Sequence, residues 1–177
     1  VAARSCRIYR DCVHSFSIAN PLLISCLWWN NGIMGVSMNT FDLNEYIEDV
    51  EINGLHGRMI NIPARNKKAA NGNILLVHGH HSSLERMRGV AELLSEYGNF
   101  CLPDMPGFGG MDHFYSIGLK PTIDNYADYL AGFIKLHYGT NKKFIIVGYS
   151  LGFLFVTRLL QKYPHLRTQL QEVISMA

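Results

Sequence analysis

Alternation of apolar and polar residues marks the first regular segments of the chain. Residues 46–53 place apolar side chains among acidic ones, and residues 57–63 form a second short apolar segment. Asn53 and Gly54 lie between the two segments and suit a tight hairpin turn, because both residue types tolerate a positive φ. The pattern therefore predicts an antiparallel β-hairpin at the start of the regular region.

Unbroken apolar runs follow further along the chain. Residues 73–78 and 144–147 are almost wholly apolar, as expected of strands buried on both faces of a parallel sheet. Residues 99–103 and 172–177 indicate two more strands. Segments with helical spacing separate them, which gives the order β-β-β-α-β-α-β-α-β. This alternation predicts an α/β fold, a three-layer sandwich whose mostly parallel sheet begins with the antiparallel hairpin.

Local signals predict where the helices begin and end. Ser82 and Glu85 have the spacing of a capping box, so the first helix is expected from there to Gly98. The helix over residues 150–163 is apolar on nearly all sides. That pattern predicts that this helix is largely buried.

Composition agrees with one globular domain and narrows the function classes. The chain has 177 residues, of which 48% are hydrophobic and 17% charged, so it can bury a sizeable core. A net charge of +2 without a Lys/Arg run argues against a nucleic-acid partner. Four cysteines without metal-binding or disulfide spacing predict neither a zinc site nor a disulfide framework, and no cofactor is expected.

The N-terminal region follows no regular pattern. We predict an extension of unclear structure over residues 1–40 and a domain over residues 41–177. Residues 18–29 form an apolar stretch that loosely resembles a signal peptide, but polar residues interrupt it and it is short for a membrane span. The chain is therefore expected to be cytoplasmic, with secretion or membrane association through this stretch as the alternative.

A Gly-x-Ser-x-Gly sequence joins a predicted strand to a predicted helix. It is Gly148-Tyr149-Ser150-Leu151-Gly152, and the two glycines remove side chains that would clash in so tight a turn. The turn would present the Ser150 hydroxyl beside the N-terminus of the helix, where the Leu151 N–H can stabilise an oxyanion. The pattern predicts a nucleophile elbow; the alternative is a glycine-rich turn with an idle serine.

Two loops accompany the elbow. His78-Gly79-His80-His81 follows the first apolar strand, and residues 104–109, Asp-Met-Pro-Gly-Phe-Gly, follow the next. With the elbow, these motifs resemble the α/β-hydrolase family over residues 45–177. The resemblance implies that His80 supplies the second oxyanion N–H from its backbone, beside Gly79, and that His78 is structural.

The same resemblance gives the second loop a structural role. Asp104, Gly107 and Gly109 would shape the floor of the active site, and a structural Asp104 is favoured over an acid–base role because turn residues surround it. A metal site at His78 and His80 is the alternative for the first loop. It is disfavoured, since no Asp, Glu or Cys accompanies them at usable spacing.

A serine nucleophile needs a base, and the chain offers no convincing one. In this family the chain order is Ser, then Asp or Glu, then His. Only His165 follows Ser150, and the intervening helix should place it on the far side of the sheet. His113 is the best stand-in, although a surface-loop role is favoured for it.

The resemblance implies two more strands after residues 172–177. We therefore expect an incomplete α/β-hydrolase fold from a truncated hydrolase, whose apolar edge at residues 173–176 invites self-association. The predicted function is hydrolysis of a small ester, thioester or related acyl substrate through an acyl-enzyme on Ser150, with the fragment itself inactive. A non-catalytic interaction module, an acyltransferase and a carbon–carbon bond hydrolase are the alternatives.

Overall fold

A mixed six-stranded sheet with three α-helices makes up the part of the chain described by the computed structural model, residues 41–176. The strands are β1 Ile47–Ile52, β2 Leu55–Ile62, β3 Asn73–Val77, β4 Asn99–Pro103, β5 Phe144–Tyr149 and β6 Leu170–Met176, and the helices are α1 Arg88–Leu94, α2 Ile123–Tyr138 and α3 Leu151–Lys162. The predicted order of strands and helices is confirmed. The predicted extension over residues 1–40, with its apolar stretch 18–29, lies outside the described residues.

The predicted hairpin is confirmed as well. β1 and β2 pair antiparallel, with Ile52 opposite Leu55 at the turn. Asn53 and Gly54 have φ values of 54° and 80°, the left-handed pair that a two-residue hairpin turn requires.

The order of the strands across the sheet brings the His78 loop and the Ser150 turn together. It is β1-β2-β4-β3-β5-β6, and the last four strands of that order run parallel. β3 and β5 are direct neighbours, with Val77 opposite Gly148. The loop after β3 and the turn after β5 therefore leave the sheet side by side, at the edge where open α/β sheets bind ligands.

Helices cover both faces of the sheet. Along β3, Leu75 and Val77 join the hydrophobic cluster formed with α2 and α3, whereas Ile74 and Leu76 join the cluster that contains Ala91 of α1. Successive residues of one strand thus enter two different cores. This confirms the three-layer sandwich and explains why β3 shows no polar alternation.

The predicted capping box is wrong. α1 begins at Arg88 rather than after Ser82, and the buried Ser82 hydroxyl has no hydrogen-bond partner within the described chain. Glu85 instead binds Ser83 and Arg58, and the Leu84 N–H is bound by the Asp104 carboxylate. Contacts with distant strands outweigh the local capping signal here.

The expected burial of the third helix is only partly correct. Phe155, Val156 and Leu159 of α3 are buried, but Leu154 is 51% exposed. No helix within residues 41–176 combines the length and the apolar character needed to cross a membrane.

Candidate active site

Ser150 stands in a strained turn between β5 and α3. Its backbone has φ 52° and ψ −122°, in the region that non-glycine residues rarely adopt. The Ser150 N–H donates to the Met176 carbonyl at 2.7 Å, which fixes the turn against β6. The residue is exposed, and its side chain makes no capping bond to the helix. The hydroxyl is therefore open to a ligand at the carboxyl end of the sheet.

Two glycines allow α3 to start so close to the sheet. A Cβ at Gly148 would lie 2.5 Å from the Phe153 Cα, and a Cβ at Gly152 would lie 2.1 Å from the Val77 carbonyl oxygen. Both distances are far below van der Waals contact, and both involve backbone atoms that cannot move independently. The tightness of the turn therefore depends on these two positions having no side chain.

The loop after β3 lies directly against this turn. A Cβ at Gly79 would lie 3.0 Å from the Ser150 Cβ and 3.1 Å from the Leu151 nitrogen. Leu151 is the first residue of α3, so its N–H has no partner within the helix. The peptide that joins Gly79 to His80 consequently sits beside both the hydroxyl and the free helical N–H. The His80 side chain is exposed, with its ring edge-on to Phe108 at 5.5 Å between centroids.

His78 joins the loops after β3 and β4. Its ring is fully buried, its Nε2 accepts the Met105 N–H at 2.9 Å, and its Nδ1 lies 2.9 Å from the Gly79 carbonyl oxygen. Burial lowers the pKa of His78, which favours the neutral ring. Because both ring nitrogens are engaged by backbone groups, this side chain is not free to bind a metal. No cluster of three or more metal-binding side chains occurs among residues 41–176.

Asp104 is a buried carboxylate with four close partners from three segments of the chain. It accepts the Leu84 N–H at 3.0 Å and the Gly110 N–H at 2.8 Å, and it pairs with the Arg58 Nε at 3.1 Å. Its Oδ1 also lies 3.7 Å from the His78 Nε2. Burial raises the pKa of Asp104, and the N–H donors and Arg58 act against that rise. The carboxylate thus joins β2 to the loops that follow β3 and β4.

Glycines and tyrosines shape the loop that follows β4. Gly107 and Gly109 both have positive φ values, of 82° and 56°. A Cβ at Gly109 would lie 2.2 Å from the Asp104 carboxylate, so the loop folds back over that side chain. The buried hydroxyls of Tyr126 and Tyr129 donate to carbonyls of the same loop, those of Pro106 and Asp104.

Sequence reasoning missed three contributors to this arrangement: Arg58, Tyr126 and Tyr129. No motif surrounds Arg58, and both tyrosines belong to the periodic apolar face of α2. Pairing of β2 with β4, which places Met59 opposite Pro103, is what carries Arg58 to Asp104. That pairing leaves no local signal in the sequence.

The histidines considered as bases are held in other contacts. His113 is exposed, its Nδ1 accepts the Tyr115 N–H at 3.2 Å, and its ring stacks on that of Tyr115. His165 is exposed in the turn after α3, beyond the far end of the helix that Ser150 begins. Within residues 41–176, no hydrogen bond joins a histidine to the Ser150 hydroxyl.

A surface hollow lies away from Ser150. Its volume is 640 Å³, and it is lined by Asp49, Val50, Glu51, His56, Gly57, Arg58, Gly110 and Asp112. Neither the elbow nor the His78 loop contributes to its wall. It is therefore not the space that a substrate of Ser150 would occupy.

Comparison with known proteins identifies relatives of this arrangement. The family model for serine aminopeptidase, S33, matches residues 68–177. Comparison with curated proteins gives no match. Among solved structures, an N-formylmaleamic acid deformylase from Pseudomonas putida S16 is similar with a TM-score of 0.59 and 21% identity, over 73% of this chain and 45% of the other.

Two further structures show the same likeness. A putative lipase from Acinetobacter baumannii AYE has a TM-score of 0.61 and 19% identity, over 82% of this chain and 47% of its own. A meta-cleavage product hydrolase from Pseudomonas fluorescens IP01 has a TM-score of 0.57 and 19% identity, over 71% of this chain and 43% of its own. The chain thus spans less than half the length of these three structures. At such identities they establish the fold alone.

Proposed function

Since the chain belongs to the serine aminopeptidase (S33) family of α/β-hydrolases, we propose that it carries the nucleophile of a serine hydrolase that cleaves a small acyl substrate through an acyl-enzyme on Ser150. The observation that carries this proposal is the strained backbone of Ser150, at φ 52°. Strain of this kind persists where surrounding structure imposes it, and it is concentrated at functional sites. Here it exposes a hydroxyl beside a free helical N–H.

In the proposed reaction, the Ser150 Oγ attacks the carbonyl carbon of the substrate and loses its proton to a base. The carbonyl oxygen becomes an oxyanion, which the backbone N–H groups of Leu151 and His80 stabilise. The tetrahedral intermediate then expels the alcohol, thiol or amine, which takes up the proton, and leaves an ester on Ser150. Water attacks that ester in the same way and releases the acid.

In this proposal, residues 41–176 contribute the nucleophile and the two N–H donors, and no histidine among them is hydrogen-bonded to the Ser150 hydroxyl. We therefore expect the 177-residue chain to react stoichiometrically and to lack turnover. A fluorophosphonate probe should label Ser150 slowly, and the rate should rise about tenfold per pH unit above pH 7 because hydroxide takes the place of a histidine. Peptide mass spectrometry of the labelled chain locates the modified serine.

Two variants serve as controls. Ser150→Ala is expected to abolish labelling, whereas His113→Ala should label at the wild-type rate because the His113 Nδ1 accepts the Tyr115 N–H. Equal labelling of wild type and Ser150→Ala would overturn the assignment of the nucleophile. Hydrolysis of p-nitrophenyl acetate that disappears in Ser150→Ala would overturn the expected lack of turnover.

A second proposal concerns self-association through residues 173–176. β6 lies at the edge of the sheet formed by residues 41–176, and Val173 is 40% exposed. An exposed apolar edge strand can pair with a second copy, whereas a lysine on such an edge opposes pairing. Light scattering after size exclusion should show a concentration-dependent dimer that Val173→Lys converts to monomer. A wild-type monomer at high concentration would contradict the proposal.

A further inference from the structure

The neutral ring of His78 carries one N–H proton, and the hydrogen bonds of the ring show which nitrogen holds it. A backbone N–H can only donate, so the bond from the Met105 N–H requires a bare Nε2. The neutral ring must then carry its proton on Nδ1, which lies 2.9 Å from the Gly79 carbonyl oxygen. His78 therefore accepts through one nitrogen and donates through the other.

The acceptor of that proton belongs to the peptide that bears the His80 N–H. The Gly79 C=O and the His80 N–H are the two polar groups of one planar unit, and none of the described peptide bonds is cis. The two groups consequently point in opposite directions. A ring that holds the carbonyl on one side fixes the direction of the N–H on the other.

Without the bond to His78, the orientation of the Gly79–His80 peptide would be loosely determined. Gly79 must lack a side chain, because a Cβ there would lie 2.8 Å from the Tyr149 carbonyl oxygen. Glycine, however, is the residue whose adjoining peptides rotate most freely. The close approach to the elbow thus removes the usual restraint on the Gly79–His80 peptide, and the bond to His78 replaces it.

The groups that face the ring leave Nε2 to the Met105 N–H. The Asp104 carboxylate lies 3.7 Å from Nε2 but is engaged by the Leu84 N–H, the Gly110 N–H and Arg58. Phe108 covers the ring edge-on, at 6.1 Å between centroids. No group among these accepts a proton from Nε2 while the Met105 N–H occupies it.

We propose that His78 is a positioning residue, whose Nδ1–H holds the Gly79 carbonyl and thereby aims the His80 N–H at the oxyanion formed on a Ser150 substrate. The proposal rests on the function proposed above and deepens it. His78 itself touches neither the substrate nor the hydroxyl. Its effect is exerted through the orientation of one peptide plane.

Two substitutions test the two hydrogen bonds of the His78 ring separately. In His78→Asn the amide nitrogen takes the place of Nδ1 and can donate to the Gly79 carbonyl, whereas in His78→Gln the amide oxygen takes the place of Nε2 and can accept the Met105 N–H. We expect the asparagine variant to keep the fluorophosphonate labelling rate within about threefold of wild type. The glutamine variant should label about 10- to 100-fold more slowly, a smaller loss than the roughly 100- to 1000-fold caused by removing an oxyanion donor, because the His80 N–H is misdirected but still present.

Nuclear magnetic resonance supplies a readout that requires no reaction at Ser150. Nitrogen shifts of the His78 ring should show the Nδ1–H form, and the His80 amide resonance should move in the glutamine variant but little in the asparagine variant. Circular dichroism checks that both variants fold.

An Nε2–H ring, or a wild-type labelling rate in His78→Gln, would overturn the proposal. If the wild-type chain does not label at all, the proposed nucleophile has failed. The ring tautomer and the His80 resonance then still decide whether His78 orients the peptide.

Discussion

Replacing Gly152 by alanine is expected to lower the free energy of unfolding by about 3 kcal/mol or more, the upper part of the range for overpacking a tight site. The new Cβ would lie 2.1 Å from the Val77 carbonyl oxygen and 2.8 Å from that of His78. Both are backbone atoms of β3 and its following loop, so relief requires the first turn of α3 to move away from the sheet. Urea denaturation followed by circular dichroism measures the change.

Gly89 provides the matched control. It lies in α1, and a Cβ there would meet no atom within 4 Å. Gly89→Ala is expected to raise the free energy of unfolding by about 0.5–1 kcal/mol, because alanine loses less backbone entropy in a helix. A Gly152→Ala variant as stable as wild type would contradict the close packing of α3 on β3. Ser150 labelling should also fall in Gly152→Ala, since moving α3 moves the Leu151 N–H.

Replacing Asp104 by alanine is the second change with a large expected effect. We expect it to lower the free energy of unfolding by about 3–5 kcal/mol, as when one partner of a buried ion pair is removed. The carboxylate is fully buried, and its removal leaves the N–H groups of Leu84 and Gly110 without their acceptor. Arg58 keeps only its exposed partner Glu85, at 2.6 Å. Each unsatisfied group adds its own desolvation penalty.

A similar ion pair at the surface serves as the control that separates the effect of burial from the effect of charge. Asp124 binds the Nε of Arg158 at 2.6 Å, but the two side chains are 48% and 38% exposed. Asp124→Ala is expected to change the free energy of unfolding by about 1 kcal/mol or less, as measured for exposed pairs. Equal losses in Asp104→Ala and Asp124→Ala would show that the Asp104 network contributes no more than a surface pair.

Much of the fold could be predicted because its signals are local. The apolar runs of β3 and β5 indicate strands covered on both faces, and Asn53-Gly54 indicates a hairpin through the φ values those residues tolerate. The glycines of the elbow indicate a tight strand-to-helix turn because they lack the side chains that would clash in it. In each case the information lies within a few residues of the element it describes.

The capping prediction failed where a distant contact competes for the same groups. Ser82 and Glu85 have the right spacing, but Arg58, 27 residues before Glu85, draws that carboxylate away. Asp104, 20 residues after Leu84, takes the N–H of the loop. A local sequence motif carries no information about such partners, because they become neighbours only when β2 and β4 pair in the sheet.

The sequence by itself determined the strand and helix order and the Gly-x-Ser-x-Gly position of Ser150, because periodicity and glycine spacing act over short distances. Only the tertiary structure decided how the His78 loop meets that serine. The adjacency of β3 and β5 places the Gly79–His80 peptide beside the Leu151 N–H, and pairing of β2 with β4 brings Arg58 to Asp104. These contacts join residues far apart in the chain, and their geometry follows from strand order and packing, which residue spacing does not specify.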